Sequence, residues 1–251
     1  MAQFKNAFES HQHSRETLDI LYGYDSFLDS LEIITDMGCG RGLDIGWWAS
    51  LETRDDPPEP RNYLCYAVDK NVSNIDPTVA AMPKVKLIEG DFEDHPIPRK
   101  TDLIWCHDSF QYVVNPLGTL KFWNSLMNPD GMLILILKQG FSYEYNRLVT
   151  RSYSHNYYNH DLASLIYMLA VNGFDCRDAY AKKEENNPWL HLAVYKSNIA
   201  PMDPATTSWF DLADLGLLND SIIASLNKYS HVRQEDIVYP WLDKDFYRVK
   251  N

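Results

Sequence analysis

Between an apolar run and a helical stretch lies Asp36-Met37-Gly38-Cys39-Gly40-Arg41-Gly42. Glycines at alternate positions let the backbone approach a ligand closely, and a helix that follows turns free N–H groups and its positive dipole end toward it. Two nucleotide patterns fail here. A phosphate-cradling loop needs G-x-x-x-x-G-K-[ST], and no such string follows Gly38 or Gly40. A dinucleotide fingerprint needs Gly or Ala at its sixth position, where this chain has Leu43 counting from Gly38, or Ile45 counting from Gly40. Either side chain would hold the helix off the sheet. Asp69 closes a second apolar run, and a carboxylate there can accept from two neighbouring hydroxyls. His107 and Asp108 close another, with Tyr112 one turn on; a histidine titrates nearest neutrality and suits removal of a proton from an O- or N-nucleophile. Phe141, Tyr143, Tyr145, Tyr153, Tyr157 and Tyr158, with His155 and His160, crowd the segment after the most apolar run.

These residues need a scaffold, and the periodicity supplies one. Residues 14–30 read as helical, with Ser14 as N-cap and Gly23 as a weak point. Residues 31–37 read as a buried strand feeding the glycine loop, and Leu43 to Leu51 as the helix after it. Three prolines within 57–60 make 54–61 a loop. Strands follow at 63–69, 85–89 and 102–106, a helix at 117–127, and a turn at Asn128-Pro129-Asp130-Gly131. The run Met132 to Leu137 has no alternation, as expected of a central strand covered on both faces. His160 to Val171 is a helix stopped by Asn172-Gly173, and strands at 174–180 and 190–195 close the unit. Strands alternating with helices imply a parallel sheet with right-handed crossovers. The expected organisation is an N-terminal helical segment at 1–30, an α/β domain at 31–197, and an acidic extension at 198–251. Leu212, Leu215, Leu218, Ile222, Ile223 and Leu226 predict short helices in that extension, serving as an oligomer contact, a substrate cap or plain surface packing.

Composition narrows the partners. The 251 residues carry 23 Lys+Arg against 35 Asp+Glu, a formal net charge of −12, and are 45% hydrophobic. Such a chain can bury a core, which excludes the disordered and collagen-like classes. The acidic surface disfavours a DNA or RNA partner, whose binding draws on Lys and Arg displacing counterions. Cys39, Cys65, Cys106 and Cys176 form no C-x-x-C pair, so neither a zinc ribbon nor a disulfide framework is expected, and no metal site is proposed. The longest apolar run, Leu165 to Val171, is far short of the ~20 residues of a membrane helix. A cytoplasmic protein, off the membrane, is the expectation.

The string Asp36 to Gly42 resembles the first motif of class I S-adenosylmethionine-dependent methyltransferases, an acid followed by G-x-G-x-G. The resemblance continues in order along 36–138. It implies a doubly wound, mostly parallel seven-stranded sheet with a C-terminal helical extension, and S-adenosyl-L-methionine as cofactor. Asp36, Gly38, Cys39, Gly40 and Gly42 would cradle it. Asp69, followed by Lys70, falls where the family places the acid that binds the ribose hydroxyls, and the proline loop accounts for its distance from Gly42. Gly90-Asp91-Phe92 is similar to the adenine-contact motif, in which the acid accepts from the exocyclic amine and the next residue offers its backbone N–H. The stretch 101–113 is similar to the family's strand and helix start that carry catalytic or methionine-contacting groups. At His107 the resemblance leaves two roles open, a backbone contact to the cofactor or side-chain catalysis with Asp108 and Tyr112. Asn128-Pro129-Asp130-Gly131 resembles the turn before the family's fifth strand.

Ligands of open α/β sheets bind outside the carboxyl ends of the strands, so Tyr143, Tyr145, His155 and Tyr157 are candidates to line an acceptor pocket, or else pack on the sheet. Trp47 and Trp48 read as packing residues. The family's [DN]-P-P-[YF] signature for exocyclic amines is replaced by His107-Asp108-Ser109-Phe110, and no cysteine pair for pyrimidine methylation is evident. A small-molecule acceptor is therefore expected, reached by in-line displacement. A protein methyltransferase and a non-catalytic binding or assembly module of the same fold are the alternatives, and 198–251 could support a homo-oligomer.

Overall fold

The structure is a computed structural model that describes residues 12–53, 55, 57–138, 160–183 and 189–242. Among the described residues, α1 (Gln12–Tyr22) and α2 (Asp25–Asp29) precede β1 (Ile33–Met37) and α3 (Leu43–Ala49). They are followed by β2 (Leu64–Asp69), α4 (Pro77–Ala80), β3 (Val85–Glu89), β4 (Thr101–His107), α5 (Pro116–Leu126) and β5 (Met127–Lys138). The chain continues with α6 (Leu162–Val171), β6 (Phe174–Lys183), β7 (Trp189–Lys196), α7 (Trp209–Asp214) and α8 (Asp220–Tyr229). The seven strands form one sheet in the order β3-β2-β1-β4-β5-β7-β6. Pairing is parallel from β3 through β5, whereas β7 runs antiparallel to both β5 and β6. This is the expected doubly wound sheet, with its order reversing beside β1.

Alternation splits the strand side chains between two cores. Leu133, Leu135 and Leu137 of β5 and Ile104 and Cys106 of β4 join the core that holds Leu120 and Trp123 of α5 and Leu165 and Leu169 of α6. Met132, Ile134 and Ile136, with Leu103 and Trp105, join the core of Leu18, Leu21, Phe27 and Trp48 on the opposite face. Burial on both faces is why β5 reads as an unbroken apolar run.

Two local expectations are corrected. Ser14 is not the N-cap of the first helix: α1 begins at Gln12, and the buried Ser14 hydroxyl donates to Asp44 Oδ1 at 2.9 Å. The hydrogen-bond demand of a distant buried carboxylate overrides the local capping preference. The turn at 128–131 is a bulge within β5, because Thr101 pairs with Met127 and Leu103 with Met132, and Asp130 adopts φ +59° between them. Gly23 does end α1, its N–H donating to Ile20 O at 2.8 Å.

The N-terminal helices are anchored by polar contacts as well as by burial. The buried Arg61 guanidinium reaches Asp25 at 2.7 Å and Asp29 at 2.5 Å, Tyr63 Oη donates to Leu28 O at 2.8 Å, and Thr17 Oγ1 lies 3.0 Å from His191 Nδ1. At the other end of the chain, α7 starts with a capping box between Ser208 and Asp211, and α8 with the Asn219 cap. Leu212, Leu217, Leu218, Ile222 and Leu226 add to the α5/α6 core. No helix among the described residues is long and apolar enough to cross a membrane.

Candidate cofactor and active site

The glycine loop leaves β1 and turns over the carboxyl end of the sheet with Gly38, Gly40 and Gly42 all at positive φ (76°, 52° and 74°). A side chain at Gly38 is blocked outright, since its Cβ would lie 2.4 Å from Ser109 Oγ. At Gly40, by contrast, a Cβ would meet nothing within 4 Å, so the loop presents a bare backbone to open space there. The loop is stapled to β2, with Gly38 and Cys39 N–H both donating to Val68 O at 2.9 and 3.0 Å. Asp69 completes the staple: Oδ2 accepts from Gly40 N at 2.9 Å and Oδ1 from Asn71 N at 2.9 Å. Each oxygen keeps a further lone pair for a ligand hydroxyl.

Asp36 is buried beneath this loop. Burial pushes its carboxyl well above the usual range, the neighbouring Asp44 and Asp69 push it further, and a backbone hydrogen bond from Ile45 opposes them. Burial and the two neighbouring acids therefore favour the neutral form of the Asp36 carboxyl. Cys39 is buried, and burial followed by Asp36 drives its thiol far up, so it stays a neutral packing group.

On the next strand end, Lys70 pairs with Asp91 Oδ2 at 2.9 Å, and Asp91 Oδ1 accepts from Glu93 N at 3.1 Å. Phe92 turns its ring into the core while its carbonyl accepts from Trp123 Nε1 at 2.7 Å. Lys70, Asp91 and the Phe92 backbone thus sit together, next to the loop.

His107, at the end of β4, carries its ring on the α3 face, with Nδ1 3.0 Å from Asp44 Oδ2. The same oxygen accepts from Trp105 Nε1 at 2.9 Å. Asp44, in the first turn of α3 and buried, therefore gathers Ser14, Trp105 and His107, joining α1, β4 and the glycine-loop helix. The His107 carbonyl lies 3.0 Å from Ser109 Oγ, which also reaches Gly38 O at 2.9 Å. Asp108 adopts φ +52°, accepts from the Gln111 amide, and pairs with Lys138 at 3.4 Å. Tyr112 stands partly exposed beyond it. Trp189, the first residue of β7, is enclosed by the stacked His13 ring at 4.3 Å, the Lys138 ammonium at 4.9 Å and the His107 ring at 5.4 Å.

Asp36, Gly38, Cys39, Gly40, Gly42, Asp69, Lys70, Asp91, Phe92 and His107 are thus gathered at one edge of the sheet. The proposed acceptor residues Tyr143, Tyr145, His155 and Tyr157 lie outside the described residues. Trp48 is fully buried and Trp47 packs edge-on against it at 5.0 Å. Sequence reasoning missed Asp44, Ser109, Trp189 and His13. An acid in the first turn of a helix is ordinary dipole chemistry, and no local signal marks Asp44 as a hub. Among the described residues no group of three or more His, Cys, Asp and Glu side chains is arranged to hold a metal.

The comparisons with known proteins agree with this architecture. Residues 35–135 match the family model of a methyltransferase domain. A solved structure of a Haloferax volcanii putative methyltransferase in complex with the Trm112 activator is similar, at TM-score 0.56 and 13% identity, over 78% of this chain and 95% of that one. Magnesium protoporphyrin IX methyltransferase from Synechocystis is similar at TM-score 0.54 and 18% identity, over 74% of this chain and 84% of that one. So is the Burkholderia thailandensis 1,6-didemethyltoxoflavin-N1-methyltransferase, at TM-score 0.52 and 13% identity, over 78% of this chain and 88% of that one. No curated protein matches. The fold is that of the Rossmann-like class I methyltransferases, and the stretch that matches a methyltransferase-domain model, residues 35–135, lies within it.

Proposed function

We propose that this chain binds S-adenosyl-L-methionine and transfers its methyl group to a small molecule. The observation that carries the reading is the pairing of Asp69 with the bare backbone at Gly40: a carboxylate with spare lone pairs beside a loop whose outer face is open. The cofactor supplies an electrophilic methyl whose leaving group departs neutral.

The protein's own task is alignment, with proton removal where the nucleophile carries one. Asp69 would hold the ribose, Asp91 with Lys70 and the Phe92 backbone the adenine, and the His107 carbonyl the methionine part. His107, Asp108 and Tyr112 are the described groups at the end of β4 from which a base would come. Two of the similar structures bear names with small-molecule acceptors, a porphyrin and a toxoflavin precursor, which supports a small acceptor here.

Calorimetry tests the first half. The cofactor and its demethylated product should bind with micromolar affinity, and Asp69→Ala should lose at least tenfold of it. No heat from either ligand at saturating concentration refutes the reading. Incubation of a lysate with methyl-labelled cofactor tests the acceptor: label in solvent-extractable products supports a small molecule, and label in protein overturns it.

A further inference from the structure

A cavity of about 310 Å³ lies away from the glycine loop, on the α5/α6 side of the sheet. Its walls are Leu162 at the start of α6, Ala181 of β6, Leu190 of β7, and Gln234, Ile237 and Tyr239 from the chain beyond α8. Val238 also contributes and is 69% exposed.

The cavity stands at the same edge of the sheet as the candidate active site. Leu190 pairs with Leu137, one residue before the carboxyl end of β5, and the neighbouring Ile136 pairs with His107. Only β5 separates β7 from β4, so at ~4.8 Å per strand Leu190 is about 10 Å across the sheet from the end of β4.

Its outer wall is anchored. Val238 N donates to Ser221 Oγ at 3.0 Å, while Val238 O accepts from Asn219 Nδ2 at 2.8 Å. Ala181 N donates to Pro240 O at 2.9 Å, and Tyr239 Oη donates to Cys176 O at 2.7 Å. None of the lining residues is charged. Burial pushes the Tyr239 hydroxyl far up, so it remains neutral. The lining offers no charge to pair with an ionic guest, so an uncharged one is favoured, and the exposed Gln234 offers one amide for orientation.

We propose that this cavity holds the apolar body of the methyl acceptor, an uncharged small molecule extended over at least about 10 Å, so that its nucleophile can reach the end of β4. The inference rests on the methyltransferase reading for the identity of the guest, but the cavity can be tested alone. The probe is N-phenyl-1-naphthylamine, a neutral fluorophore that brightens in apolar surroundings, titrated into the full chain without cofactor. One saturable site per chain is expected. Ala181→Trp, which fills the cavity, should weaken it at least tenfold, and Val238→Asp, a charge at an exposed position that leaves folding undisturbed, about threefold.

No saturable signal, or equal affinity in Val238→Asp and a folded Ala181→Trp, overturns the proposal; if Ala181→Trp does not fold, Val238→Asp decides alone. Failure here with cofactor binding intact leaves the methyltransferase reading standing, and the reverse result leaves the cavity standing. An acceptor that is methylated should displace the probe, and one methylated without displacing it overturns the assignment.

Discussion

Removing the Asp44 carboxylate should cost more than any exposed acid would, and the size of the loss depends on what replaces it. In the wild type it accepts from Ser14 Oγ, Trp105 Nε1 and His107 Nδ1 at 2.9, 2.9 and 3.0 Å. Asp44→Leu keeps the branch at Cγ in a larger side chain but leaves three buried polar groups without their acceptor. At roughly 1–3 kcal/mol for each stranded group, discounted because hydroxyl and imidazole can rearrange, the expected loss is about 4 kcal/mol. Asp44→Asn behaves differently. Trp105 and His107 share one oxygen, so the amide carbonyl can serve both while its NH2 donates to the Ser14 hydroxyl. Only the charge is lost, and about 2 kcal/mol is expected as charge-assisted bonds become neutral ones. For a chain of this size these losses correspond to a fall in Tm of about 8–16 °C for Leu and about 4–8 °C for Asn. Thermal and urea unfolding followed by tryptophan fluorescence would measure both. A Leu variant within about 1 kcal/mol of wild type, or an Asn variant as damaged as Leu, would refute the hub reasoning.

Acidification should reveal His160, whose imidazole burial lowers to about 4, against an opposing pull from Asp161. Its folded value lies below the unfolded ~6.5, so the unfolded chain takes up the proton first and stability falls as pH drops from about 6.5 toward 4. The total is about 3 kcal/mol, and His160→Gln should flatten that part of a stability-versus-pH curve; an unchanged slope contradicts it. Asp36 has the opposite sign. Its folded value is raised above the unfolded 3.8, so the folded chain holds the proton longer and the group costs stability as pH rises through that window. Asp36→Asn should therefore unfold at a higher temperature than wild type at pH 7.5 and converge with it near pH 4, while binding the cofactor less tightly. The glycines should separate folding from binding. Gly38→Ala clashes with Ser109 and should destabilise by about 2 kcal/mol or more, whereas Gly40→Ala should cost about 1 kcal/mol of left-handed strain yet lose cofactor affinity in calorimetry. Equal effects at the two positions would count against the proposed placement of the ligand.

Much of the fold is legible along the chain. The strands at 33–37, 64–69 and 85–89 follow directly from apolar runs bounded by turn residues, the weak point at Gly23 falls just past Tyr22, where α1 stops, and Asn172-Gly173 ends α6 with Gly173 at φ +80°. The candidate cofactor residues are legible as well, because a glycine loop and strand-end acids are local patterns in sequence. Less legible are features whose cause is distant in sequence. Ser14 looks like a cap until Asp44, 30 residues on, takes its hydroxyl. The bulge around Asp130 depends on how β5 meets Thr101.

The sequence by itself determined the order of strands and helices, the glycine loop and its acids, and a net charge of −12. Each of these rests on periodicity, backbone freedom or charge, which neighbouring residues carry among themselves. Only the tertiary structure decided that Asp44 joins α1, β4 and the loop helix, that His107 turns its ring toward it, and that the chain beyond α8 walls a cavity at the carboxyl edge. Those contacts arise where packing brings together segments far apart in the chain, and no local pattern encodes which donor a buried carboxylate will meet.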